Sequence, residues 1–361
     1  MPRIVLHVDM DAFFAAIEER DHSEFKRFPI VVGADPKEGH GRGVVSTANY
    51  EARKYGVHSA QPISQAWNSC KAGETAGGKK CIFFEGNFSK YEKESEKIMR
   101  IIQKYAHLFE QVSVDEAFLE LNRKPYSMGY KEANRIATEI KDQIRKEIQL
   151  TCSIGIGPNK LVAKIASDFK KPDGITVVKP QEAQKFLDPM HIRALPGIGP
   201  KAETILARQH IKTIKNLRLA SKGSLEKLLG AWGKGLYYMA RGLDDRPVEE
   251  MTEAKSIGRE HTFENDTLDP KELLATLKTL AVQVATDASG EGANFKTIEL
   301  KVRLQDFSTM TRSKTLPMQE NDAETIERVG MTLLLPFLDH RENPLRKKIR
   351  LLGVRVSKLV Q

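Results

Sequence analysis

This sequence predicts a multidomain α+β fold, and three observations carry the expectation. Its 361 residues exceed one ordinary hydrophobic core, so two to four domains are expected. Apolar runs of strand length alternate with helical patterns over about the first 168 residues. The pattern turns helical from about 182 to 243 and returns to mixed strands and helices beyond about 256.

In chain order, residues 4–9 read as a strand and 12–20 as the start of a helix, and 29–33 and 43–47 supply further strands. A helical run from Ser89 to Tyr105 precedes a strand at 111–121. A longer helix follows from about Tyr130 to Gln149, with Ala133, Ile136, Ala137, Ile140 and Ile144 on one stripe, and 151–156 is another strand. This alternation fits a helix-covered sheet of the ferredoxin-like kind. Residues 71–80, rich in Gly and Lys, read as a mobile loop. Pro-Gly-Ile-Gly at 196–199 and Gly230, Gly233 and Gly235 punctuate a small all-α segment. Residues 244–255 lack an apolar period and read as an exposed tether. Beyond it, a helix over 271–288 puts Leu273, Leu277, Leu280 and Val284 on one face. Residues 297–304 alternate strictly, with Ile298, Leu300, Val302 and Leu304 inward and Glu299, Lys301 and Arg303 outward.

The net charge is +9, with a pI near 9.2, which fits a polyanionic partner. Residues 170–245 hold 14 lysines and arginines against 7 acidic residues, a net of +7, so that segment is the first candidate for gripping a phosphate backbone. Cys70, Cys81 and Cys152 are odd in number and lack Cys-x-x-Cys spacing, which argues against a disulfide framework or structural zinc and for a reducing compartment. No basic leader with an apolar core and no apolar run of about 20 residues is present, so a cytoplasmic, membrane-free protein is expected, with a nuclear location left open.

The stretch 110–120 sets adjacent carboxylates, Asp115 and Glu116, in a segment that otherwise reads as a buried strand, and such charges need a strong partner. The segment 4–14 repeats the design with Asp9 and Asp11. Asp9, Asp115 and Glu116 together suit a pair of Mg2+ ions, which prefer oxygen ligands and leave room for substrate phosphates, and this is the chemistry of phosphoryl transfer. Asp11 is read as orienting local structure. Tyr50 and Arg53, three apart, share a helix face. Gly155-Ile-Gly-Pro-Asn-Lys160 precedes a helix but lacks the P-loop pattern.

Asp-Met-Asp-Ala-Phe-Phe-Ala at 9–15, Tyr-Glu-Ala-Arg-Lys-Tyr-Gly-Val at 50–57, Ser-Val-Asp-Glu-Ala at 113–117 and Leu-Pro-Gly-Ile-Gly at 195–199 together resemble a Y-family DNA polymerase, within that family the DinB or polymerase IV type. The resemblance implies a ferredoxin-like palm with small fingers over 1–168 (fingers about 20–77), an all-α helix-hairpin-helix thumb over 169–243, a linker at 244–255 and a separate α+β little finger over 256–361. It implies a metal-binding, DNA-directed DNA polymerase acting in low-fidelity translesion synthesis, with two Mg2+ ions, for which Mn2+ would substitute. The backbone carbonyl of Met10 would complete the metal shell. Phe14 would be the steric gate under the incoming sugar, next to Phe13. Ser46, Thr47 and Ala60 would line the nucleotide pocket, Tyr50 and Arg53 would contact the triphosphate, and Lys160 would lie near it and the carboxylates.

Gly197, Gly199 and Lys201 would hold DNA at the hairpin. Lys301, Arg303, Arg312, Arg346, Arg350 and Arg355 of the little finger would contact it mainly through phosphates. Expected partners are primer-template DNA and dNTP, with the chain a monomer. Many relatives carry a tail that docks on a sliding clamp, which is not evident at 356–361, so that partner is left open. Two other classes compete: a DNA-binding scaffold without chemistry, against which all three carboxylates speak, and another two-metal palm enzyme such as a nucleotidyl cyclase, which has no duplex to grip.

Overall fold

The computed structural model describes residues 3–121, 129–250, 254–339 and 341–360. It divides into two compact units, Met1–Met251 and Thr252–Gln361.

The first unit opens with β1 (Val5–Met10), α1 (Phe13–Asp21), β2 (Ile30–Gly33), β3 (Val45–Ala48), α2 (Tyr50–Arg53), α3 (Ile63–Thr75), β4 (Ile82–Glu85) and α4 (Phe88–Gln103). It continues with β5 (Leu108–Gln111), β6 (Glu116–Glu120), α5 (Tyr130–Ile148), β7 (Cys152–Gly157), α6 (Lys160–Phe169) and β8 (Ile175–Val177). The main sheet has the order β5-β6-β1-β7-β8, with β1 central and antiparallel to both neighbours. Every residue of β1 is buried, and its alternation divides the sheet into two faces. Ile4, Leu6 and Val8, with Ala117, Leu119, Ile154 and Ile156, meet the apolar stripes of α1, α4 and α5 in the largest core. The opposite face, which carries Val5, His7, Asp9 and Gly155, lies under α6.

A three-stranded sheet of order β3-β2-β4 packs with α2 and α3 around Val31, Val45, Ala52, Ile63 and Ala66. Asn49 ties it together: its side-chain oxygen accepts from the Ala52 amide as the cap of α2 and from the Ile30 amide of β2. Five short helices follow, α7 (Ala183–Leu187), α8 (Pro200–Ala207), α9 (Ile214–Leu219), α10 (Lys222–Leu229) and α11 (Ala231–Met239). Their core, including Leu187, Leu206, Ile214 and Leu236, also takes in Leu161, Val162, Ile165 and Ala166 of α6.

The second unit contains β9 (Ser256–Thr267), α12 (Pro270–Gly290), β10 (Phe295–Leu304), β11 (Thr309–Glu320), α13 (Ala323–Leu338) and β12 (Ile349–Ser357). All neighbours in its sheet, of order β11-β10-β12-β9, are antiparallel. Leu273, Leu277, Leu280 and Val284 of α12 and Ile298, Leu300, Val302 and Leu304 of β10 form its core with Phe263, Phe295 and Phe337.

Four sequence expectations are corrected. The strand at 111–121 is two strands, because the chain turns through 112–115 and pairs β5 with β6 antiparallel. Residues 71–75 continue α3, and only those after Thr75 leave it; Gly73 and Gly78 lie where any side chain would collide with the Tyr55 ring, so these glycines serve packing. Cys70 and Cys81 are joined as a disulfide, their Cα atoms 5.8 Å apart, because the chain returns beside the helix it has just left. Finally, residues 244–249 are not a free tether: Asp245, Arg246, Pro247 and Glu249 are exposed as expected, but the segment is docked onto its own unit, the Leu161 amide donating to Asp244, Arg3 to the Arg246 carbonyl and the Glu249 amide to Glu110, with Val248 buried beside Val5, Phe118 and Ala163. Residues 251–253 of the expected tether lie outside the described residues.

At Gly155 a Cβ would overlap the Ala163 carbonyl oxygen and the Ser167 amide nitrogen of α6, both backbone atoms that cannot swing away. Gly155→Ala is therefore expected to destabilise the first unit by about 3 kcal/mol, the upper range for overpacking. Gly223→Ala, in α10 with open space around it, should stabilise by about 0.5–1 kcal/mol. Denaturant melts of the two variants check the contrast.

Candidate active site

Period-two alternation puts His7 and Asp9 on the α6-covered face of β1. In register with Asp9 stand Glu116 on β6 and Ser153 on β7. Asp9 is only 6 % exposed, and burial pushes its carboxyl up to about 7 against the opposing pull of Lys171, whose ammonium lies 2.7 Å from Asp9 Oδ1 and 2.8 Å from Asp168. Glu116 Oε2 is 2.6 Å from Lys164 Nζ and 3.6 Å from His7 Nε2. His7 and Lys164 together hold Glu116 well below the usual carboxylate range despite its partial burial. Burial holds His7 itself below its ordinary value, which favours the uncharged ring.

Asp115 precedes β6. Its carbonyl accepts from the Met10 amide at 3.0 Å, which locks the turn to β1, while its carboxylate accepts from Ser113 Oγ at 2.6 Å. The structure thus brings Asp9 and Glu116 together and leaves Asp115 engaged locally. Among the described residues no three His, Cys, Asp or Glu side chains are placed to hold one metal ion. The reason is electrostatic: each buried-site carboxylate is already turned towards an ammonium, Lys171 or Lys164. The donors themselves fit a hard divalent cation, being carboxylate oxygens on adjacent strands in a setting that leaves them in need of positive charge.

Asp11 serves local structure: it accepts from Ser153 Oγ and the Asp173 amide, both at 2.8 Å, and from the Tyr50 hydroxyl at 3.4 Å. Burial and Asp11 push the Tyr50 phenol up to about 12. The Arg53 guanidinium lies 4.7 Å over the Tyr50 ring, with Nε donating to the Ala48 carbonyl. Ser46 and Thr47 stand on β3, and Ala60, with φ of +65°, donates its amide to Val45 beside them. Phe13 is core, whereas Phe14 is half-buried, stacked on Tyr91 at 4.4 Å and edge-on to Phe88.

Lys160 is not at the acid pair. Its ammonium contacts both Glu110 oxygens at 2.6 Å and the Pro247 carbonyl at 3.3 Å, because the first residue of α6 reaches back over the Phe118 ring towards β5. Lys164 and Lys171 are the cations that reach the carboxylates, and sequence reasoning missed both. Part of the signal was present, since Lys164 and Asp168 share a helical face at a spacing of four, whereas Lys171 lies beyond the end of α6.

In the helical segment Gly197 adopts φ of +89°, and Gly199 precedes Pro200 at the start of α8, which leaves Lys201 exposed. In the second unit Lys301 and Arg303 lie on the face away from the helices, as does Arg355 opposite Glu299; Lys301 pairs with Glu260 at 2.7 Å and Arg303 donates to Thr309. Arg346 is exposed in the turn before β12. Arg350 sits near the irregular start of β12, over Phe307 and 3.8 Å from Asp266. Arg312 does not share the open face. It stands opposite buried Leu300, stacks over Phe337 of α13 and makes two bonds to Glu342, because period two turns it towards the helices.

Because Asp9 keeps its proton to a higher pH when folded than when unfolded, its contribution is fully present below about pH 4 and is lost as pH rises to about 7. Asp9→Asn removes that loss. In divalent-free buffer the variant should melt close to wild type near pH 4 and roughly 3 °C or more above it at pH 8, as calorimetry across pH would record.

Among family models, residues 8–168 match one described as "impB/mucB/samB family", 193–244 one described as "DNA polymerase-iota, thumb domain", and 254–361 the "impB/mucB/samB family C-terminal domain". The chain is 44 % identical over 359 residues to "DNA polymerase IV 2" of Methanosarcina mazei, covering 99 % of this chain and 92 % of that one. It is 39 % identical over 355 residues to "DNA polymerase IV" of Streptococcus sanguinis, covering 98 % and 96 %. Among solved structures it matches a "Y-family DNA polymerase chimera Dbh-Dpo4(243-245)-Dbh" with a TM-score of 0.83 at 29 % identity, covering 99 % of both chains. An "Insertion ternary complex of Dbh DNA polymerase" matches with a TM-score of 0.69, also at 29 % identity and 99 % coverage of both. Sequence similarity along nearly the whole chain and the shared architecture agree: the chain belongs to the Y family of DNA polymerases, DinB or polymerase IV type.

Proposed function

We propose that the Asp9–Glu116 pair is where this DNA-directed DNA polymerase transfers a nucleotide from dNTP to a primer 3′ end, in template-directed, low-fidelity translesion synthesis. The observation that supports the placement is the register of the two carboxylates on adjacent strands, each paired with an ammonium. Asp115, at the lip of the same turn, joins them as the third carboxylate, and Met10 offers its backbone carbonyl. Enzymes of this family are metal-dependent, and a pair of Mg2+ ions, or Mn2+ in their place, held by these groups would supply Lewis acidity to the primer hydroxyl and the leaving pyrophosphate.

The rest of the work belongs to the chain's own side chains. Lys171 and Lys164, the ammonium groups next to the carboxylates, are the chain's own cations that would meet the triphosphate. Arg53, its planar donors set by the Tyr50 ring, binds and orients the same phosphates. Phe14, braced by Tyr91, closes the space a 2′-hydroxyl would need. Ser46, Thr47 and Ala60 present small side chains to the nascent pair and leave it loosely held. Gly197, Gly199 and Lys201, with Lys301, Arg303, Arg346, Arg350 and Arg355, are proposed to grip primer-template DNA through its phosphates.

Primer extension with Mg2+ on an undamaged template and on one carrying an abasic site tests the reading. Wild type should extend on both, and Asp115→Ala and Asp9→Ala, folded by circular dichroism, should lose at least about a thousandfold in rate. Failure of folded wild type to extend, despite tight DNA binding, defeats the proposal. Phe14→Ala should incorporate ribonucleotides while keeping most deoxynucleotide incorporation, and unchanged sugar selectivity removes Phe14 from its assigned place.

A further inference from the structure

His7 lies two residues before Asp9 on the same face of β1 and is fully buried between β6 and α6. Its ring is fixed by Phe118, with ring centres 4.6 Å apart. Nδ1 is 2.8 Å from Ser167 Oγ, while Nε2 points at Glu116 Oε2 from 3.6 Å and has no hydrogen-bond partner among the described residues. A buried polar atom left unpaired is costly, and here it is aimed at the acid pair.

Ser167 decides what Nε2 can do. Its hydroxyl lies 2.7 Å from the Lys164 carbonyl, which the helical ladder of α6 already serves with an amide. The hydroxyl is therefore free to turn and donate to His7 Nδ1 instead. With Nδ1 accepting, the single ring proton of a neutral imidazole sits on Nε2 and faces Glu116. With Nδ1 donating to Ser167, Nε2 would present a lone pair to a carboxylate. Only the first arrangement is attractive once Lys164 has left.

We propose that His7, its tautomer set by Ser167, is a positioning residue that holds the Glu116 carboxylate through Nε2–H when Lys164 moves to substrate and a divalent cation takes its place. The inference rests on the ion-binding reading of Glu116 given above. A carboxylate held only by an ion can swing, whereas one also fixed from below presents its oxygens in one direction. Such outer hydrogen bonds change metal affinity by about 10- to 100-fold. Closing 3.6 Å to a normal bond takes a movement of about 0.7 Å, within reach of a partly exposed glutamate.

The test is a Mn2+ titration of the full chain, with free Mn2+ followed by electron paramagnetic resonance, on a dideoxy-terminated primer-template with dNTP so that no turnover occurs. His7→Leu should weaken Mn2+ binding about tenfold and Ser167→Ala should act in the same direction, while His7→Gln, which keeps an N–H donor, recovers most of the loss. In primer extension the Mg2+ half-saturation should shift with it, while KM for dNTP at saturating Mg2+ changes less than about threefold. Wild-type Mn2+ affinity in a folded His7→Leu overturns the proposal. If that variant does not fold, Ser167→Ala, which removes one hydroxyl, decides alone, and wild-type affinity there overturns it. Glu116→Gln in the same titration separates the two readings. Undiminished binding in Glu116→Gln defeats the ion site itself, whereas its loss there with wild-type binding in His7→Leu and Ser167→Ala defeats only the positioning role.

Discussion

The structure depends on keeping negative charge inside a sheet. Asp9 stands in the middle strand of the larger unit, 6 % exposed, in register with Glu116. A hydrophobic residue at either position would favour folding more, and an isolated carboxylate there would be costly. The chain resolves the conflict with counter-charge drawn from a single helix and the turn after it, Lys164 and Lys171. The surrounding architecture serves that arrangement. Gly155 lets α6 approach within backbone contact, Ser153 and Asp11 tie β7 to the loop before β8 at Asp173, and the Met10–Asp115 bond fixes the acidic turn.

Charge of this kind is stable without being inert. An ammonium on a long, flexible stem neutralises a carboxylate with little geometric demand, and it gives way to a cation of higher charge. The arrangement holds the acid pair in a compensated form and concentrates two lysines beside it. In the proposed reaction the same lysines that compensate the buried acids would serve the triphosphate, so folding and function would draw on one set of interactions.

Much of this was legible in the sequence. Period-two alternation placed Ile298, Leu300, Val302 and Leu304 inward, and the 3.6-residue period placed the stripe of α5. The acidic residues stood out because they interrupt apolar runs. What the sequence concealed were features of tertiary proximity. Nothing local says that Lys160 turns to Glu110 while Lys164, one turn later, reaches Glu116. The Cys70–Cys81 pairing needed the return path of the chain after α3, and the docking of 244–249 needed partners such as Arg3 and Glu110, far away in sequence. Arg312 followed the alternation rule, but a count of basic residues near strands does not say which face each one occupies.

Helix α6 belongs to two cores at once. Ala163 packs beside Val5 and Phe118 under the sheet, while Leu161, Val162, Ile165 and Ala166 are shared with the five-helix segment. The helix therefore acts as a lever with one arm in each body. Any shift of the helical segment that carried α6 with it would have to move Lys164 and Ser167 against β1 and β6, where the backbone contact at Gly155 resists it. Ten residues of backbone thereby join the packing of the helical segment to the counter-charge on Glu116.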